Sequence, residues 1–213
     1  SKKDLVDREY KDEDMERKAV EDEVIEPTPG ANGPPSSKKE SALHPQVQED
    51  YAKIKQKLEA LGWQPRIVTA FRSLEEQHKK LTNGKSQTAY GYHCFLAEDG
   101  SRASQALDLI DARYSYGNSP KSIKEIGQKA TEDQARLFWG DLGKIAESSE
   151  FGYRWGGTAY YDFSGSPSDN LMMGWDPGHI DKRGNGLPSS SQARRNASEF
   201  FKRPITNDGP NVI

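Results

Sequence analysis

A run of helix and strand breakers constrains this chain most. Pro27, Pro29, Gly30, Gly33, Pro34 and Pro35 crowd into one short stretch. Proline fixes φ and removes an N–H, and glycine loosens the backbone, so the stretch reads as a linker. Before it, Leu5 to Ile25 mixes acids and bases with few large apolar residues. Such a composition belongs to a segment that is disordered alone, or to an arm that docks on a partner. Residues 1–40 hold 12 Asp+Glu against 8 Lys+Arg, whereas all four Trp lie beyond them. The expected organisation is an acidic arm and linker over 1–40, then one domain over 41–213, long enough to bury a core.

The composition excludes several classes. A net charge of −3 with no basic stripe argues against nucleic acid as the main partner. No apolar run approaches the roughly 20 residues that span a bilayer. No charged-then-apolar leading segment reads as a secretory signal. Cys94 is the one cysteine, so neither an internal disulfide nor a cysteine-rich zinc site is expected. A thiolate role beside His93 is the alternative to a small buried apolar residue there.

Periodicity sets out the elements. Val47, Tyr51, Ile54, Leu58 and Leu61 form one helical stripe that stops at Gly62. Pro65 to Ala70 reads as a strand. Ser73, with Glu76 three residues on, reads as a capping box opening a helix to about Leu81. Phe95 to Arg102 centres on the turn pair Asp99-Gly100. Ser104 to Asp111 reads as a strand with Ala106, Asp108 and Ile110 on one face. Residues 113–130 read as loop, and Thr131 as the cap of a helix that buries Ala135, Phe138, Leu142 and Ile145. Phe151 to Trp155 reads as a strand before Gly156-Gly157 and a long polar loop. A strand start is expected near His179, and a last helix over Ser189 to Phe201. Helices and short strands mix without βαβ alternation, so the expected fold is α+β: a small, mostly antiparallel sheet flanked by helices.

The chain has only four histidines. His44 precedes Pro45 and His78 sits mid-helix; both are expected on solvated surface. His93 leads into a strand, and His179 follows Pro177-Gly178. A catalytic zinc takes three protein ligands and keeps one position for water. His93, Asp108 and His179 could supply that set, with Asp176 as base. Pro177 and Gly178 bar a helical turn, but a tight turn could aim Asp176 and His179 at one point. Spacing alone leaves open a surface-loop role for His93 and a packed role for His179. No His-Glu-x-x-His pattern occurs.

Three segments carry a resemblance. Val68-Thr69-Ala70-Phe71-Arg72-Ser73-Leu74-Glu75-Glu76-Gln77, Phe151-Gly152-Tyr153-Arg154-Trp155-Gly156-Gly157 and Asp176-Pro177-Gly178-His179-Ile180 resemble, in order, motifs of the VanY-type zinc D-Ala-D-Ala carboxypeptidases. That family also includes L-alanyl-D-glutamate endopeptidases, many of them phage endolysins. The resemblance implies a Zn2+ enzyme acting on the peptide stem of bacterial peptidoglycan, with His93, Asp108 and His179 on the metal and Asp176 as base. It implies that Arg72 binds a substrate carboxylate or developing charge, with Gln77, Trp155 and Trp175 at the cleft; Tyr160 and Tyr161 could flank the substrate. It further suggests a phage lysis or virion-borne endopeptidase, with residues 1–40 docking on a tail or capsid protein. The middle motif departs from the family: its His and Asp lie seven residues apart, whereas His93 and Asp108 are fifteen apart. If the excess folds as a hairpin around Asp99-Gly100, its flanks stay adjacent; otherwise Asp99 or Asp111 becomes the third ligand, or the zinc site is lost. The alternative function is an inactive virion or wall-binding module with a degenerate metal site.

Overall fold

Four short strands pair in the order β1-β2-β4-β3, every pair antiparallel. They are β1 (Pro65–Thr69), β2 (Ala106–Asp111), β3 (Tyr153–Trp155) and β4 (His179–Lys182). Among the described residues five α-helices accompany them: α1 (Pro45–Ala60), α2 (Leu74–Thr82), α3 (Gln128–Ala146), the single turn α4 (Gly156–Ala159) and α5 (Ser190–Phe201). The computed structural model describes residues 32–116, 128–159 and 176–213. The fold is α+β, as the mixed periodicities indicate.

Alternation along β2 divides the protein into two layers. Leu107 and Leu109 point to one side, where they join Val47, Ile54 and Leu58 of α1 and Phe138 and Leu142 of α3 in the main core. Asp108 points to the other side. A second apolar cluster of Leu74, Tyr90, Phe95, Ala193, Ala197 and Phe201 seats α2 and α5.

Local signals explain most boundaries, with four corrections. The Ser73 hydroxyl accepts from the Glu76 N–H and starts α2, but the reciprocal half of the capping box is absent. The Ser73 N–H goes instead to Ser36 Oγ at 3.0 Å, and Ser36 also bonds the Glu76 carboxylate. That contact belongs to the second correction: the linker does not extend to residue 40. Ser37 pairs with Phe71 as a bridge, and Asn32 Nδ2 donates to Ile213 O at 3.1 Å, so residues 32–40 lie against the domain. The earlier part of the arm falls outside the described residues. Third, α3 already runs at Gln128, which places Thr131 inside the helix rather than at its cap. Fourth, His44 is half-buried; its Nδ1 accepts from the Gln46 N–H at 3.1 Å and caps α1. His78 is half-buried as well.

The residues between His93 and Asp108 form a hairpin. Ala97 N–H donates to Ser101 O at 2.8 Å, Ala103 N–H to Phe95 O at 2.9 Å, and Leu96 pairs with Arg102. Gly100 turns the tip at φ +83°, and a Cβ there would lie 2.1 Å from Phe200, so only glycine lets the tip close on α5. At the base, Gln105 N–H donates to Tyr92 O at 3.1 Å. The excess length is looped out and its flanks stay in register.

A buried ion pair ties α1 to the sheet. Lys182 Nζ lies 2.6 Å from Asp50 Oδ2, and the hydroxyl of Tyr153, its cross-strand neighbour, donates to the same oxygen at 2.8 Å. Lys182 and Asp50 are 5% and 6% exposed. Removing one partner strands the other charge in the core. Asp50→Ala is expected to lower the free energy of unfolding by about 3–5 kcal/mol, read by denaturant titration; a loss under about 1 kcal/mol would mean water relieves Lys182.

Candidate metal centre

Strand register builds the site. Asp108 sits opposite His179 across the β2–β4 pair, so their side chains leave the same face of the sheet. His93 arrives from a 3-10 turn, Tyr92–Cys94, held when the Arg72 N–H donates to His93 O at 2.9 Å. Both imidazoles converge on one oxygen: His93 Nε2 is 3.2 Å and His179 Nδ1 3.0 Å from Asp108 Oδ1. The three ligand atoms lie within 4.8 Å of one another. The two rings meet edge to face at a centroid distance of 5.1 Å.

The outer nitrogens are committed. His93 Nδ1 lies 2.9 Å from Ala70 O, a contact only an N–H can make well, which leaves Nε2 as the nitrogen that faces Asp108. His179 Nε2 lies 2.8 Å from Asp181 Oδ2. His179 thus bridges two carboxylates. Burial opposes its charge, but its hydrogen bonds to Asp108 and Asp181 outweigh that and push its pKa up to about 10. Burial likewise opposes ionisation of Asp108, yet the neighbouring imidazoles hold its carboxyl well below the usual range. The pocket is therefore built to hold positive charge.

Asp176 enters through a tight turn. The His179 N–H donates to Asp176 O at 3.1 Å across Pro177-Gly178. The close packing explains the glycines. A Cβ on Gly178 would sit 2.9 Å from Leu109 O, and one on Gly156 2.0 Å from Asp176 O. Trp155 pins the turn by donating from Nε1 to Pro177 O at 2.6 Å. Burial, then the Asp108 charge, pushes the Asp176 carboxyl above its ordinary value against the pull of His179, His93 and Arg72.

Arg72 completes the cluster. Its Nη2 lies 3.4 Å from Asp108 Oδ2, its Nη1 donates to Gln77 Oε1 at 3.1 Å, and its Nε finds no hydrogen-bond partner among the described residues. Gln77 is 2% exposed and its amide donates to Ser86 Oγ and Thr88 O. It stands behind Arg72 and does not face the cleft. Cys94 is fully packed; burial pushes its thiol up to about 11, which removes the thiolate alternative. Asp111 is spent at the far end of β2 on Gln64 and Arg113, and Asp99 on Ser101 in the hairpin turn. Trp175, Tyr160 and Tyr161 lie outside the described residues.

Sequence reasoning missed two neighbours of the site. Asp181 follows His179 by two residues in a strand, so period-two alternation could have placed it on the same face. Tyr116 had no such signal. Its ring packs on Trp139 at 5.8 Å, and burial followed by the charges of Asp108 and Asp176 pushes its hydroxyl up to about 12.

No family model matches this sequence, and no curated protein does. Among solved structures, the chain is similar to the LD-carboxypeptidase LdcB, described for its peptidoglycan recognition. The identity is 12%, over 85% of this chain and 81% of that one, with a TM-score of 0.33. It is also similar to the vancomycin-resistance D,D-dipeptidase VanXYg, solved with a D-Ala-D-Ala phosphinate analogue. There the identity is 18%, over 75% of this chain and 58% of that one, with a TM-score of 0.30. Likenesses this weak carry no functional conclusion. What the described residues define is an α+β domain with a two-histidine, one-carboxylate cluster able to hold a metal ion.

His93→Ala, Asp108→Ala and His179→Ala are each expected to abolish divalent-metal binding in equilibrium dialysis, while Asp111→Asn retains it. Metal kept by Asp108→Ala and lost by Asp111→Asn would move the site.

Proposed function

We propose that this chain is a zinc-dependent peptidase that hydrolyses an amide bond in the peptide stem of bacterial peptidoglycan. The observation that carries the reading is the convergence of His93 Nε2 and His179 Nδ1 on Asp108 Oδ1, with Arg72 and Asp176 beside them. The substrate class rests on the ordered motif resemblance over residues 68–77, 151–157 and 176–180.

The donor set fits zinc. Two imidazole nitrogens and one carboxylate oxygen are a usual catalytic trio. The outer nitrogen of each ring is already bonded, which leaves His93 Nε2 and His179 Nδ1 facing the Asp108 carboxylate. When bound, zinc supplies Lewis acidity for the scissile carbonyl and lowers the pKa of water toward about 7.

The chain's own residues supply the rest. Asp176 accepts a proton from the attacking water as the water oxygen bonds to the carbonyl carbon. When the carbon–nitrogen bond breaks, Asp176 returns that proton to the leaving amine. Burial raises its proton affinity above that of an ordinary carboxylate, the direction that favours a general base. Arg72, steadied by Gln77, offers its guanidinium edge to a carboxylate of the stem or to the charge that grows on the carbonyl oxygen. Trp155 holds the turn that carries Asp176.

The finer reading is an endopeptidase of phage type, acting on the wall at lysis or from a virion. Its support is the acidic leading segment, with 11 Asp+Glu against 6 Lys+Arg over residues 1–31. Because 32–40 packs on the domain, docking on a tail or capsid protein falls to residues 1–31. No helix among the described residues is long and apolar enough to cross a membrane.

Asp176→Asn is expected to bind zinc like the wild type and to release new amines from purified peptidoglycan about 10²–10⁴-fold more slowly. Full activity with zinc retained would remove Asp176 as the base. No zinc and no amine release from the wild type would overturn the peptidase reading.

A further inference from the structure

Asp181 is the third carboxylate of the site face, and the proposed chemistry gives it no task. It is 0% exposed. Its Oδ2 accepts from His179 Nε2 at 2.8 Å and from Arg154 Nη2 at 2.7 Å. Arg154 Nε adds contacts at 3.2 and 3.3 Å to the two oxygens, so the guanidinium grips the carboxylate as a fork. Arg183 Nε lies 3.5 Å from Oδ1. The arrangement is set by the sheet: Arg154 in β3 stands opposite Asp181 in β4, and Asp181 stands opposite Ala106 in β2, whose small side chain leaves room. Arg154 and Arg183 also lie over the ring of Tyr92, at 5.9 and 4.8 Å, and Tyr92 precedes the ligand His93.

We propose that Asp181, held by Arg154, is the positioning residue of the metal centre, fixing His179 with its Nε2–H outward and its Nδ1 toward the metal. The inference rests on the reading that His93, Asp108 and His179 hold zinc. An imidazole can bind a metal through either nitrogen, and the hydrogen bond made by the other decides which. His93 is set by a neutral acceptor, the Ala70 carbonyl. His179 is set by a charged one. An ionised acceptor holds the ring more firmly and makes its lone-pair nitrogen a stronger donor, so His179 is the ligand the protein tunes. Arg154 is required because a carboxylate with no exposure to water must find its counter-charge inside the protein. Its bearing on His179 runs through Asp181.

The test is zinc affinity of the full chain, measured by competition with a chromophoric chelator, for wild type, Asp181→Asn, Arg154→Gln and Asp111→Asn. Imidazole ¹⁵N shifts of the zinc-bound protein read which nitrogen of His179 carries the proton. Asp181→Asn is expected to weaken zinc binding about 10–100-fold, with a smaller loss for Arg154→Gln. The Nε2–H signal of His179 is expected to change in Asp181→Asn. Arg154 is 30% exposed at its side chain, so its variant tests the idea even if Asp181→Asn does not fold. Asp111→Asn alters another fully buried strand carboxylate, at the far end of β2 from the ligands, and should leave affinity unchanged. Equal affinity in all four proteins would overturn the proposal, as would a loss in Asp111→Asn matching that in Asp181→Asn. A wild type that binds no zinc would overturn the metal reading itself, and this inference with it.

Discussion

The register of β2 against β4 is the constraint on which the rest depends. Asp108 opposite His179 is one pair in a short ladder, and the side-chain period of a strand is two. A slip of one residue would send Asp108 or His179 into the apolar layer with Leu107 and Leu109 and dissolve the cluster. The register is therefore held from both sides. Leu107, Leu109 and Ile180 anchor it in the main core. The Asp176–His179 turn anchors it at one end, and the Lys182–Asp50 pair at the other. Trp155 and the tight glycines around it leave the turn little freedom.

Asp108, His179 and Asp181 put charge on one face of the sheet, and each of the three is paired. Asp108 is shared by two imidazoles and Arg72; Asp181 is shared by His179 and Arg154. Buried charges are tolerated only when paired and hydrogen-bonded, and a network of this kind is lost in pieces that are costly. The hairpin over Phe95 to Arg102 belongs to the same logic. It adds length between two ligands without moving either, because its base is hydrogen-bonded shut and its tip rests on Phe200.

Local chemistry made much of this legible. The stripe from Val47 to Leu61 read as a buried helix face, and it is one up to Leu58, while Leu61 caps the helix and is exposed; Ser73 read as a helix start and Asp99-Gly100 as a turn, and both are. Alternation put Asp108 apart from Leu107 and Leu109. The candidate ligands were few because the chain has four histidines. Where the expectations failed, a distant partner had intervened. Ser36 took over the Ser73 N–H from Glu76. The segment from Asn32 found partners at Phe71 and Ile213. Gln77 turned from the cleft to the back of Arg72.

The sequence by itself determined the elements, the polarity of each face and the residue types able to hold a metal, since these follow from period, composition and turn chemistry within a few residues. Only the tertiary structure decided that His93 reaches Asp108 across the hairpin, and that Asp111 is taken by Arg113 and so is no ligand. It alone decided that Arg154 reaches Asp181 from another strand. Those are distances between residues far apart in the chain. They are set by strand register and by the packing of two cores against one sheet, which no local pattern encodes.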